Sequence, residues 1–192
     1  MNELEIIRRQ LAAEQSHAAE VANACAAVFG SPDEGALLSE ATAGFREACV
    51  NYLVWVLSRF EECDQTLSEL LGSRQSSPGG AAGVSAHHLV GLISQSGTSR
   101  EALSRLEAAL AAGESDSARA AWQEFARIFN SAWAPRRAAL ERALAEHLSV
   151  ADWRTISAID ADSILEERTR YARVAAQLPA GIELRRKSPG GA

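Results

Sequence analysis

From Phe45 to Leu70 the chain places Phe45, Cys49, Tyr52, Leu53, Val56, Phe60, Cys63, Leu67 and Leu70 mostly three or four positions apart. At 3.6 residues per turn this spacing puts the nine side chains on one helical face for about seven turns. An apolar stripe of that length is not buried by a short partner; other helices of similar length must lie along it. The period predicts a helix from about Ala36 to Leu71. Alanine, leucine, glutamate and arginine dominate the rest of the chain, and no alternating run makes a convincing strand.

The same period marks three further long helices. The first spans Glu3 to Phe29, with Leu4, Ile7, Leu11, Ala18, Ala22, Cys25 and Phe29 inward, and ends at Gly30-Ser31-Pro32. The segment SRQSSPGGAAG, residues 73 to 83, reads as a flexible connection. Another helix starts near Ser85 and carries AHHLVGLI before it meets SQSGTS. There the pattern implies either a kink or a fresh start capped by Thr98 with Glu101, and Gly113 closes the element. The last long helix starts at Ser115 or Ser117 and reaches about His147, with Pro135 expected to kink or loosen it.

Ser149 with Asp152 then caps a short helix, and IDADSILEERTRYARV supplies a final one. Its acids Asp160, Asp162, Glu166 and Glu167 stand at helical spacing from Arg168, Arg170 and Arg173, the pattern of a solvated helix laced by exposed ion pairs, or of a docking surface. The expected fold is all-α, an up-and-down four-helix bundle with one or two short C-terminal helices. Residues 1–178 form its single domain, and 179–192 form a flexible tail.

Composition narrows the function classes. A chain of 192 residues with 47 % hydrophobic content suits one domain. A net charge of −6 argues against a nucleic-acid surface, which needs a basic stripe to neutralise phosphates. No window approaches the roughly 20 apolar residues that span a bilayer, so no membrane partner is expected. Cys25, Cys49 and Cys63 are an odd number without a CxxC pair, each set among apolar neighbours, which fits free thiols in a reducing cytoplasm. A protein partner or a homo-oligomer is compatible with the four tryptophans.

Two charges interrupt the apolar faces. Phe129, Ala132, Trp133, Arg136 and Leu140 project in nearly one direction, as do Leu53, Leu57, Phe60, Asp64, Leu67 and Leu71. An unpaired buried charge costs several kcal/mol or more, so the pattern predicts either a core ion pair between Asp64 and Arg136, with Glu61 a second acidic candidate and Arg137 on the flank, or a ligand between them. The alternative is a rotated helix whose arginine snorkels outward. Of the four histidines, His147 is placed to interact with a helix C-terminus, and His87 lies beside His88. His17 and His88 are the candidates for metal ligation, with Asp64 as a carboxylate partner.

The residues LERALAEHLSVADW resemble the stretch that closes the hemerythrin-like, or HHE cation-binding, domain, most closely at His147-Leu148-Ser149 and Ala151-Asp152-Trp153. RFEECDQTLSELL is similar to that family's HHxxEExxLFPLL on helix two, and HHLVG resembles the EHxxG that begins its third helix. The resemblance implies a bundle with a metal-binding interior, but the chain departs from the family at the ligands. Ala132 and Arg136 replace histidine and glutamate of the fourth helix, and Arg59, Phe60, Cys63 and Asp64 stand where helix two offers its ligands. His88, His17 and Asp64 are what survives of the set, too few for a di-iron centre, so oxygen carriage is not implied.

Arg136 is then a substitute for the metal's positive charge, its planar fork of donors placed where carboxylates would otherwise repel. The expectation is a degenerate hemerythrin-like module, binding or regulatory rather than enzymatic, with no cofactor. The alternatives are a reduced His/carboxylate site holding iron or zinc, or a small-anion site using Arg136. No nucleophile elbow, phosphate-cradling glycine loop or paired-carboxylate motif points to an enzyme.

Overall fold

Six helices account for nearly all of the computed structural model, which describes residues 3–30, 37–75, 83–145 and 148–185; within the helices the side chains of residues 74, 75, 83–89, 133, 137 and 139–145 also fall outside the described set. They are α1 (Glu3–Phe29), α2 (Glu40–Gln75), α3 (Gly83–Ala112), α4 (Ser115–Ala145), α5 (Val150–Ser157) and α6 (Ala161–Ala176). No strand occurs among the described residues. None of the helices is long and apolar enough to cross a membrane.

The helix ends follow from local chemistry. Gly30 closes α1, its N–H donating to the Ala26 carbonyl at 2.9 Å; a Cβ there would sit 2.6 Å from that same oxygen, so only glycine makes this approach. Gly113 ends α3 in the left-handed region at φ 72°. Ser149 and Asp152 form a capping box on α5, and Asp160 and Ser163 form one on α6. α5 ends on Ala158 at φ 43°, an unfavourable conformation for a residue with a Cβ. Arg59 of α2 supports this end by donating to the carbonyls of Ser157 at 2.9 Å and Ala158 at 3.4 Å.

Three expectations change. α2 begins at Glu40 rather than Ala36 and continues to Gln75, into the segment expected to be a flexible connection. α3 runs unbroken through SQSGTS, and Thr98 donates back to the Ser94 carbonyl at 3.0 Å instead of capping a new helix. Gly97 in that stretch and Gly91 before it disfavour helix by roughly 1 kcal/mol each, but Leu92, Ala102, Leu103 and Leu106 are buried on either side, and their packing holds the helix together. α4 carries Pro135 inside its span. Beyond α6, Leu178, Ile182 and Leu184 lie partly buried against the core, so the packed chain extends past residue 178; residues 186–192 lie outside the described residues.

α2 is the central element, contacting α1, α3, α5 and α6, while α3 and α4 form the most extensive pair. Buried side chains fall into two clusters. The larger unites Cys25, Phe45, Leu53, Phe60, Leu103 and Phe125 with their neighbours. The smaller joins Ile7, Leu11, Cys63, Leu67, Leu92, Trp153 and Ile156, with α5 contributing the last two.

Candidate functional site

Between the two apolar clusters lies a layer of buried polar side chains to which each of the four long helices contributes. Glu14 of α1, Asp64 of α2, Ser96 and Ser99 of α3 and Arg136 of α4 are each at most 4 % exposed. On α1, Glu14 falls between Leu11 of the smaller cluster and Ala18 of the larger. On α2, Asp64 follows Phe60 of the larger and Cys63 of the smaller. Burial pushes the Cys63 thiol up to about 12, and Asp64, Arg136, Glu14 and Arg59 all act on it electrostatically, which places these groups around one level of the bundle.

The structure brings Arg136 and Asp64 together. Arg136 Nη2 donates to Asp64 Oδ2 at 2.6 Å and to Ser96 Oγ at 2.9 Å, and the guanidinium carbon lies 4.6 Å from the centre of the Phe60 ring. α2 and α4 make no broad backbone contact, so it is the reach of the arginine side chain that bridges them. Burial raises the Asp64 carboxyl to about 6 although Arg136 pulls the other way and Glu61 adds to the rise. Burial likewise lowers Arg136 against the opposing pull of Asp64. Arg136 Nε finds no acceptor among the described residues, so part of its desolvation is uncompensated.

A cavity beside the pair is bounded by Leu57, Phe60, Gln95, Ser99, Phe129 and Ala132, with Ser96 and Arg136 completing its wall. It offers about 10 Å³ to the centre of a water-sized sphere, roughly the room of one water molecule and far below the pockets that enclose organic ligands. With Arg136 already matched by Asp64, neither charge nor volume favours an organic acid here.

Of the other expected site residues, Glu61 and His17 are described, and both engage different partners. Glu61 pairs with Arg100 of α3 rather than with Arg136. The side chains of Arg137 and His88 lie outside the described residues, as does His147 altogether. His17 meets neither Asp64 nor Glu61: its Nδ1 lies 2.8 Å from Glu167 Oε1 of α6, an oxygen that also accepts from Tyr52 at 3.0 Å. Tyr52 and Asp64 are twelve positions apart on α2, about 18 Å of helix, so the expected grouping of His17 with Asp64 around one metal is not formed. Among the described residues no group of three or more His, Cys, Asp or Glu side chains is placed to hold a metal ion.

Glu14, Ser96 and Glu167 were not anticipated as site residues, yet two of them left a trace in the sequence. Glu14 stands in the apolar register of α1, three positions after Leu11 and four before Ala18, and precedes His17 at Glu-x-x-His spacing. Glu167 stands in register with Tyr171, Val174 and Leu178; it is 1 % exposed, not one of the solvated acids of α6, whereas Glu166 does pair with Arg170 on the surface. Burial raises Glu14 above the usual carboxylate range, opposed by Arg59 Nη2 at 3.5 Å and by Gln10. The buried serines of α3 carried no comparable signal.

No protein-family model matches the chain, and neither does any curated protein or any solved structure.

Proposed function

We propose that the chain is a non-catalytic binding or regulatory module, an up-and-down four-helix bundle of hemerythrin-like design in which an arginine–carboxylate pair replaces the metal. The observation that carries this reading is the contact between Arg136 and Asp64 at 2.6 Å, with their side chains 5 % and 2 % exposed. It lies in a polar layer fed by all four long helices, where a bundle builds cofactor sites from facing side chains. A guanidinium there supplies fixed positive charge and directed donors without a metal. The up-and-down course is supported by pairs placed as antiparallel neighbours require: Leu11, early in α1, clusters with Leu67, late in α2, and Arg105, late in α3, bonds Glu124, early in α4, at 2.6 Å.

Iron or zinc in a reduced His/carboxylate site is the competing reading, and it is weakened by the engagement of His17 with Glu167 and of Asp64 with Arg136. Elemental analysis of protein purified without chelator separates the two. The arginine reading expects substoichiometric metal that His88→Ala and His17→Ala leave unchanged. One iron or zinc per chain, lost in either variant, overturns it.

A further inference from the structure

α6 is attached to the bundle in an unusual way. Only two of its residues are buried, Val174 and the carboxylate Glu167. Glu167 Oε1 takes hydrogen bonds from Tyr52 of α2 and from His17 of α1, whose Nδ1 donates as the imidazolium and also in the Nδ1–H tautomer of the neutral ring. Tyr171, one turn further along α6, stacks on the His17 ring with centroids 3.9 Å apart and planes 18° off parallel, and donates to Glu20 at 2.5 Å. His17 is therefore clasped by α6 from two directions. Its side chain is 28 % exposed, so protons reach it from solvent while Glu167 stays covered.

We propose that His17 is a proton-operated latch for α6: the imidazolium holds the helix against α1 and α2, and loss of its proton releases it. The charges around the latch set the direction. Glu14 and Glu20 approach the imidazole from α1, and Glu167 with the Tyr171 hydroxyl from α6; Tyr52 of α2 shares Glu167. Arg59, the other nearby cation, is engaged with Glu14 and the end of α5. His17 is thus the one described cation hydrogen-bonded to Glu167. The bond to Glu167 raises His17 above the ordinary histidine value, with smaller contributions from Glu20 and Glu14, while burial opposes them.

Tyr52 and Tyr171 are raised from an already basic value, chiefly by burial, and keep their protons throughout the neutral range. When His17 becomes neutral, Glu167 loses its cationic partner beside Glu14 and keeps only neutral donors, the Tyr52 phenol and, in one tautomer, the imidazole Nδ1–H. A buried carboxylate so placed favours states in which it meets water. The movement that hydrates it is lifting of α6, which uncovers Tyr52. A regulatory module thereby acquires a segment whose docking follows pH, an inference that stands whether or not Arg136 replaces a metal.

Hydrogen exchange of the full chain, followed by mass spectrometry from about pH 6 to pH 8.5 and corrected for intrinsic rates, tests the latch. Protection of α6 falls with rising pH by about tenfold, the ratio one charge-assisted hydrogen bond sustains, while α3 and α4 keep theirs. His17→Gln shows the low protection at every pH. Glu167→Gln, which retains an acceptor without the charge, makes α6 protection independent of pH. Equal α6 protection across the range in the wild type, or a pH dependence that survives either substitution, overturns the proposal. Should His17→Gln fail to fold, the wild-type profile and Glu167→Gln decide it.

Discussion

Replacing Arg136 with methionine keeps most of the side-chain stem and removes the charge. Asp64, 1 % exposed, then loses the donor at 2.6 Å, and Ser96 loses its partner at 2.9 Å. Stranding one member of a buried pair costs about 3–5 kcal/mol, a large share of the roughly 5–15 kcal/mol that holds a domain folded. The loss depends on pH. Asp64 already has a folded-state pKa of about 6, above its unfolded value, and removing the opposing cation raises it further. Its contribution is therefore favourable below the unfolded carboxylate range and is lost as pH rises through the folded value. Arg136→Met should cost less near pH 5 than near pH 8.

The double variant Asp64→Leu with Arg136→Met removes both desolvated charges and the orphaned Arg136 Nε together. It should be near neutral, or more stable than the wild type by about 1–4 kcal/mol. Urea unfolding of the two single variants and the double variant, at both pH values, gives the coupling directly. If each single change costs under about 1 kcal/mol and the two add to within about 0.5 kcal/mol, the side chains act independently and the layer does not work as a charge pair.

Cys25, Cys49 and Cys63 are buried, and burial raises the Cys25 and Cys63 thiols, Cys63 to about 12; a thiol reagent at neutral pH should label all three at the rate of unfolding, and rapid labelling of the native protein would contradict the packing. In the wild type, Asp64, Glu14 and His17 all titrate in the folded state above their unfolded values. The carboxyls lose their favourable contribution as pH rises above the acidic range, and His17 does so above about 6.5. The thermal midpoint should therefore fall between about pH 5 and pH 8, and a midpoint that rises across this window would show the cluster is held differently. Ser149→Ala removes the hydroxyl that accepts from the Asp152 N–H at 3.2 Å and should cost about 0.5–2 kcal/mol in chemical denaturation; no loss would mean α5 needs no cap.

The long apolar periods of the sequence determined which stretches are helices, because a repeat of three and four has one regular solution. The same arithmetic aimed Asp64 and Arg136 inward, since an apolar register with one charge in it states where that charge points. What the period does not carry is which helix lies opposite which. Glu61 and Asp64 are three residues apart, yet one turns to Arg100 and the other to Arg136, a choice made by the neighbours on either side of α2. Continuity of α3 through Gly97 and Thr98 was likewise decided by tertiary packing, which outweighed a local signal to stop. The meeting of His17 with Glu167, 150 positions apart, exists only because α6 folds back across α1 and α2. In sequence Glu167 shows only its register with Tyr171, Val174 and Leu178; that Tyr52 and His17 are what cover it is decided by the fold.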